Sequence, residues 1–143
     1  MNINVERLPI LKISKTLWNF IAIHLSLCVP ECSDPTVLVN TMGGVCSGAI
    51  QTWCIWNNNE VAGLITTQII TEPWSKRKML MIYTFQMNDK RFTIEDTAAI
   101  MDVLYEFARA NECSRVVAYT RNRGVVHICK GLGWDTEQVV LSV

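Results

Sequence analysis

Residues 78–86 constrain the fold more than any other segment. Their apolar side chains fall on both faces of an extended chain: Met79, Leu80, Met81, Ile82, Tyr83 and Phe85. A strand with one apolar face needs cover on that face only, whereas this run needs cover on both. The sequence therefore predicts a central strand in a sheet that has helices packed on each face.

Four segments carry a helical repeat of apolar residues, and each is bounded by residues that begin or end helices. Asp34 followed by Pro35 is a start signal, because the carboxylate caps the first turn and proline fits there without a backbone donor. Thr93 and Asp96 have capping-box spacing, with Asp in place of the usual Glu or Gln. The predicted helices are residues 10–28, a short helix from Pro35 that Gly43-Gly44 ends, residues 94–111, and residues 123–132 before Gly133.

Short runs of apolar, β-branched and aromatic residues predict the strands. Residues 57–59 are all Asn, a residue that tolerates the left-handed backbone of tight turns. The predicted strands are residues 2–8, 51–56, 61–71, 78–86, 115–120 and 135–143. The element order is thus β-α-α-β-β-β-α-β-α-β in one domain, residues 1–143. Three consecutive strands followed by alternating helix and strand favour a mixed α/β sheet.

Composition excludes several classes of protein. Thirteen basic and thirteen acidic residues give a net charge of zero, so nucleic acid is not expected as the main partner. Half the residues are hydrophobic and only 18% are charged, which favours protein partners or self-association. We expect no signal peptide and no membrane span, hence a cytoplasmic protein that is not secreted. The six cysteines form no C-x-x-C pair, which predicts reduced thiols and no metal site.

The element order resembles that of the GNAT acyltransferases over essentially the whole chain. Residues 122–134 carry the best local similarity, since the family closes with an Asn, a helix and a Gly followed by an aromatic residue. Here Asn122 can cap the helix, Gly133 can end it at positive φ, and Trp134 can pack beside it. The resemblance implies a central mixed sheet with helices on both faces.

The resemblance also implies where acetyl-coenzyme A would bind. In the family, a basic or Gln residue and a glycine-rich turn hold the pyrophosphate between the fourth strand and the third helix. The matching residues 86–97 contain no glycine, and Glu95 and Asp96 lie where they repel phosphate. We therefore expect no cofactor. If the chain does bind acetyl-coenzyme A, the candidate binding residues are Asn88, Lys90, Arg91 and Asn122.

The family's usual catalytic residues are not found at the matching positions. The family's general acid is usually a Tyr in the fourth helix, and Cys129 stands at the matching position, where it is more naturally a small hydrophobe. Tyr83 and Tyr119 are alternatives, although either can be a core aromatic. Residues 61–71 and 78–86 supply no carboxylate to act as a base. The chain thus resembles a GNAT-like pseudoenzyme for binding or assembly, similar to small accessory virion proteins of tailed bacteriophages. This resemblance implies a location within an assembled virion as the alternative to the cytoplasm. The alternative is a divergent N-acetyltransferase.

The turn after residue 71 combines an aromatic residue with three cations. Trp74, Lys76, Arg77 and Lys78 are the candidate partner-binding residues, for an acidic protein face or nucleic acid. An ordinary charged turn is the competing interpretation, and it predicts that Trp74 folds back onto the sheet. His24 lies in an apolar helix and is interpreted as a core histidine with satisfied hydrogen bonds.

Overall fold

The computed structural model of the protein describes residues 2–8, 15–88, 91–118 and 123–136. Within these ranges the chain forms five strands, four α-helices and one 3-10 helix. They are β1 (Ile3–Arg7), α1 (Lys15–Cys28), the 3-10 helix (Pro30–Ser33), α2 (Pro35–Ser47), β2 (Ile50–Asn57), β3 (Glu60–Thr71), β4 (Lys78–Met87), α3 (Ile94–Ala110), β5 (Cys113–Ala118) and α4 (Arg123–Gly131).

The strands form one mixed sheet in the order β1-β2-β3-β4-β5. The first four strands are antiparallel neighbours, whereas β5 runs parallel to β4. A parallel pair needs a crossover connection, and α3 supplies it. The predicted mixed α/β class is confirmed, and β4 lies between β3 and β5 as its apolar sequence requires.

Helices cover both faces of the sheet. Ile100 and Leu104 of α3 pack in one core cluster, and Ile21 and Leu25 of α1 pack in a second. Successive residues of a strand point to opposite faces. Trp53 accordingly joins the α3 cluster, whereas Cys54 joins the α1 cluster. The prediction of cover on each side is therefore confirmed.

The expected end of α2 is wrong. The helix passes through Gly43 and Gly44 and stops only at Gly48, which has φ 81°. A Cβ on Gly44 would lie 2.9 Å from Cδ1 of Ile50, so this glycine lets α2 approach the start of β2. The glycine pair is thus a packing feature within the helix and not its stop.

Some predicted elements extend beyond the described residues. Residues 10–14 of the first predicted helix and 137–143 of the last predicted strand lie outside the described residues. Residues 135–136 have no regular structure. The fifth strand begins at Cys113, two residues before the predicted Arg115.

The end of α4 has the predicted glycine stop. Gly133 has φ 85°, and its N–H donates to the Lys130 carbonyl at 3.1 Å. The Trp134 N–H donates to the Cys129 carbonyl at 3.0 Å, which completes a Schellman motif. The Trp134 indole also donates to the Tyr105 hydroxyl at 2.8 Å and so ties the end of α4 to α3.

Gly133→Ala is expected to lower the free energy of unfolding by about 1 kcal/mol, because a Cβ is strained at positive φ. Nothing lies within 4 Å of the added carbon, so the cost comes from the backbone alone. Gly131→Ala is the matched control, since it also meets open space but lies within α4. We expect it to be neutral or stabilising. Urea unfolding of both variants measures this, and equal losses would contradict the assignment.

Candidate functional site

A β-bulge at Tyr83 divides β4 into two parts. Thr66 pairs with Thr84, but the next residue, Thr67, pairs with Ile82, so Tyr83 is an extra residue. Before the bulge, Ile82 faces the α3 cluster. After it, Thr84 contacts His24 of α1 on the opposite face. The bulge therefore brings polar side chains of β4 under α1.

The pairing of β4 with β5 ends at the same position. Among the described residues, the last pair is Ile82 with Ala118, whereas β4 continues to Met87. Beyond Ile82, the backbone groups on that side of β4 therefore have no strand partner within the described part of the chain. Such an edge can accept an extended ligand that carries amide groups.

Tyr83 stands partly open to solvent at the bulge, with 37% of its surface exposed. Burial, then the nearby Cys32 and Glu31, raise the pKa of its hydroxyl above the usual value. Tyr83 therefore keeps its proton at neutral pH, as a proton donor would require.

A network of hydrogen bonds between side chains of α1, β3 and β4 lies beside the bulge. His24 Nε2 is 2.6 Å from Thr84 Oγ1, and His24 Nδ1 is 3.0 Å from Gln86 Oε1. Thr84 Oγ1 is in turn 2.6 Å from Thr66 Oγ1. Gln86 Oε1 can only accept, so Nδ1 carries the imidazole proton and Nε2 accepts from the Thr84 hydroxyl. Both ring nitrogens are thus used, as a core histidine requires.

The groups in this network are neutral. Burial lowers the pKa of His24, although its hydrogen bond to Gln86 partly offsets this. Burial also raises the pKa of the Cys28 thiol, whose sulfur lies 3.8 Å from His24 Nδ1. A neutral imidazole beside a protonated thiol is not an activated nucleophile. The network therefore joins α1 to β4 without evident reactivity.

The N-terminus of α3 is capped by its own carboxylate. Asp96 Oδ2 accepts from the Thr93 N–H at 2.8 Å and from Thr93 Oγ1 at 3.1 Å. The Asp96 N–H donates back to Thr93 Oγ1 at 3.3 Å, which confirms the predicted capping box. Glu95 adds a second acid to this first turn. These residues do not fit a pyrophosphate, which would meet two carboxylates at the helix end.

Of the four predicted cofactor-binding residues, the structure describes Asn88 and Arg91. Asn88 is exposed and its N–H donates to the Ala62 carbonyl at 2.6 Å, so this backbone group already serves the sheet. Arg91 is exposed near the start of α3. Lys90 and Asn122 lie outside the described residues.

The candidate catalytic residues occupy different surroundings. Cys129 is half-buried on α4, where burial raises the pKa of its thiol and Tyr105 is a neighbour. Tyr83 instead neighbours Cys32 and Glu31 beside α1. Tyr119 lies outside the described residues. Tyr83 and Cys129 thus have different neighbours and do not form one site.

The turn between β3 and β4, residues 72–77 together with Lys78, is called the hairpin tip. Trp74 is 82% exposed there, so the competing interpretation is wrong in its prediction that Trp74 folds back onto the sheet. The sheet ends at Thr71 and Lys78, and a side chain at position 74 has no strand neighbour to pack on. Lys76, Arg77 and Lys78 are exposed beside it.

Sequence reasoning missed the polar face of β4. Thr84 and Gln86 alternate with Phe85 and Met87, and that change from the fully apolar start of the strand was the available signal. Within the described residues, no His, Cys, Asp or Glu cluster has metal-site geometry. The described helices include none that is long and apolar enough to cross a bilayer.

Several solved structures share this fold over 98% to 100% of the chain. An aminoglycoside acetyltransferase from an uncultured soil metagenomic sample matches with a TM-score of 0.72 and 12% identity, over 100% of this chain and 98% of that one. A predicted acetyltransferase with acetyl-CoA from Clostridium acetobutylicum matches with a TM-score of 0.69 and 13% identity, over 98% and 96%. A transcriptional regulator from Bacillus halodurans C-125 matches with a TM-score of 0.74 and 10% identity, over 99% and 98%.

These similarities establish a GNAT-like fold. No family model matches the chain, and no curated protein matches it in sequence. At such identities the fold is shared, while the chemistry depends on the residues at the site.

Proposed function

We propose that this GNAT-fold chain is a non-catalytic binding protein that serves in assembly. The observation that carries the proposal is the capping of α3 by Asp96, with Glu95 beside it. The helix N-terminus would attract a phosphate group, but repulsion by the carboxylates of Glu95 and Asp96 would offset this attraction. Residues 86–97 also contain no glycine that would let the backbone approach a phosphate.

The proposal predicts that acetyl-coenzyme A does not bind tightly. Calorimetric titration is expected to give no saturable heat at sub-millimolar ligand. A micromolar dissociation constant requires about 8 kcal/mol of organised contacts, and such a result would overturn the proposal. The double variant Glu95→Gln, Asp96→Asn tests the reason, because removing both charges is expected to increase any residual affinity.

A divergent acetyltransferase is the second candidate function. The bulge at Tyr83 and the unpaired edge of β4 favour it, since an extended amide-bearing arm such as that of acetyl-coenzyme A can pair there. This candidate predicts release of free coenzyme A in the presence of an amine acceptor. It also predicts that Tyr83→Phe lowers that rate while the protein stays folded.

The resemblance to accessory virion proteins of tailed bacteriophages suggests a setting for the assembly role. We propose this setting on the strength of that resemblance and of the apolar composition, with 50% hydrophobic residues. Genes for capsid and portal proteins beside the gene for this chain would support it. A metabolic operon would favour the acetyltransferase instead.

A further inference from the structure

The hairpin tip combines a large apolar side chain with positive charge. Trp74 is 82% exposed, and Lys76, Arg77 and Lys78 are exposed next to it. Glu72 is the acidic residue of the tip, and its negative charge is neutralised by an ion pair between Glu72 Oε2 and Arg115 at 3.1 Å. The surface around Trp74 is therefore cationic. Tryptophan and arginine are the residues that most often anchor protein interfaces.

The outer face of α1 has the opposite character. Ile23 is 59% exposed and Leu27 is 69% exposed, and residues four apart in a helix lie on the same side. No charged residue occurs from Thr16 to Pro30, so this exposed face is uncharged. Glu31, in the 3-10 helix after α1, and Asp34, which ends that helix, are both exposed. Asp34 Oδ1 accepts from the Thr36 N–H at 2.9 Å as the cap of α2, and its exposure leaves the carboxylate open to a further contact. The stripe of Ile23 and Leu27, with the two acids after it, is called the α1 face.

We infer that the hairpin tip of one molecule binds the α1 face of a second copy of this chain. Trp74 would cover the apolar stripe, while the cations of the tip would meet Glu31 and Asp34. Each surface exposes at least one large apolar side chain to solvent, which favours a binding partner. The two surfaces are complementary, because each offers an apolar contact to the other and their charges are opposite. The inference names the partner of the assembly role proposed above and rests on that role, although it does not depend on acetyl-coenzyme A binding.

Such a contact joins unlike surfaces, so a pair of molecules held by one contact still offers a free α1 face on one molecule and a free tip on the other. In a head-to-tail arrangement, contacts of this kind continue into rings or open chains, and only a two-fold pair in which each tip binds the other molecule's α1 face closes as a dimer. Few residues take part, so the interaction belongs to the weak class of small interfaces. The expected behaviour is reversible growth of the average mass with protein concentration.

Two variants separate the surfaces. Trp74→Ala removes the tip anchor, and Leu27→Ser removes the centre of the α1 face. Both positions are exposed, so both variants should fold, which circular dichroism and the melting temperature verify. Sedimentation equilibrium from about 10 to about 500 µM covers the affinity range of small interfaces. We expect the wild type to grow beyond the dimer and each variant to remain monomeric.

Mixing the two variants is the decisive measurement. Leu27→Ser keeps an intact tip and Trp74→Ala keeps an intact α1 face, so an equimolar mixture should form a one-to-one dimer and grow no further. Ile94→Ser is the matched control, because Ile94 is 50% exposed but lies on α3, across the sheet. This variant should associate like the wild type.

The inference is overturned if the wild type stays monomeric throughout, or if Trp74→Ala associates as the wild type does. It is also overturned if the mixture remains monomeric, because the tip and the α1 face then do not bind each other. A wild type that stays monomeric but binds anionic lipid vesicles or single-stranded DNA through Trp74 would assign the tip to that partner instead. Tight acetyl-coenzyme A binding with normal association would reject the proposed function and leave this contact standing.

Discussion

Gly63→Ala is expected to destabilise the protein by about 3 kcal/mol, the upper range for overpacking a core. A Cβ at position 63 would overlap the carbonyl oxygen of Gln86 and lie 2.8 Å from the Met87 sulfur. The carbonyl belongs to the backbone of β4, so it cannot move aside as a flexible side chain would. The strain falls on the strand segment that holds Gln86 against His24.

Urea unfolding measures the loss, and Gly43→Ala is the matched control. Gly43 lies within α2, and nothing stands within 4 Å of an added Cβ. Alanine is favoured over glycine inside a helix by up to about 1 kcal/mol, so this variant should be neutral or more stable. If both variants unfold at the same urea concentration, the close approach of β3 to β4 is not as described.

Acid is expected to destabilise the protein through His24. Burial lowers the pKa of His24 from its usual 6.5, so the folded state binds a proton less readily than the unfolded chain does. The contribution of the neutral imidazole is then complete above about pH 6.5 and is lost as the pH falls toward the folded-state pKa. The groups around the ring, Thr84, Gln86 and the Cys28 thiol, supply no negative charge to hold the proton.

Unfolding free energies measured between about pH 5 and about pH 8 test this expectation, because histidine titrates in that window. His24→Gln cannot titrate there and should flatten the pH dependence, whatever it does to stability itself. His127→Gln is the control, since His127 is exposed on α4 and the variant should keep the wild-type dependence. The same slope in wild type and His24→Gln would show that another group controls acid stability.

The sequence by itself determined those features that depend on neighbouring residues. The capping box of Thr93 and Asp96 and the stop at Gly133 are local, because a cap joins residues three apart and a positive φ concerns one residue. The apolar start of β4 also predicted its central place, since two apolar faces need two covers. Together with the order of the predicted elements, these local signals predicted the mixed sheet with helices on both faces.

The tertiary structure alone decided the features that depend on distant residues. The bulge at Tyr83 is defined only by the register against β3, and it turns Thr84 and Gln86 toward His24, some sixty positions earlier in the chain. Likewise, the residue types of Gly43 and Gly44 predicted the end of a helix, but α2 continues to Ser47 and passes close to Ile50 at Gly44. The charged-turn interpretation predicted that Trp74 packs on the sheet, yet Trp74 lies beyond the last pair of β3 and β4 and is 82% exposed. In each case the conformation depends on whether a contact forms between different elements of the fold. No local pattern of residues encodes such a contact.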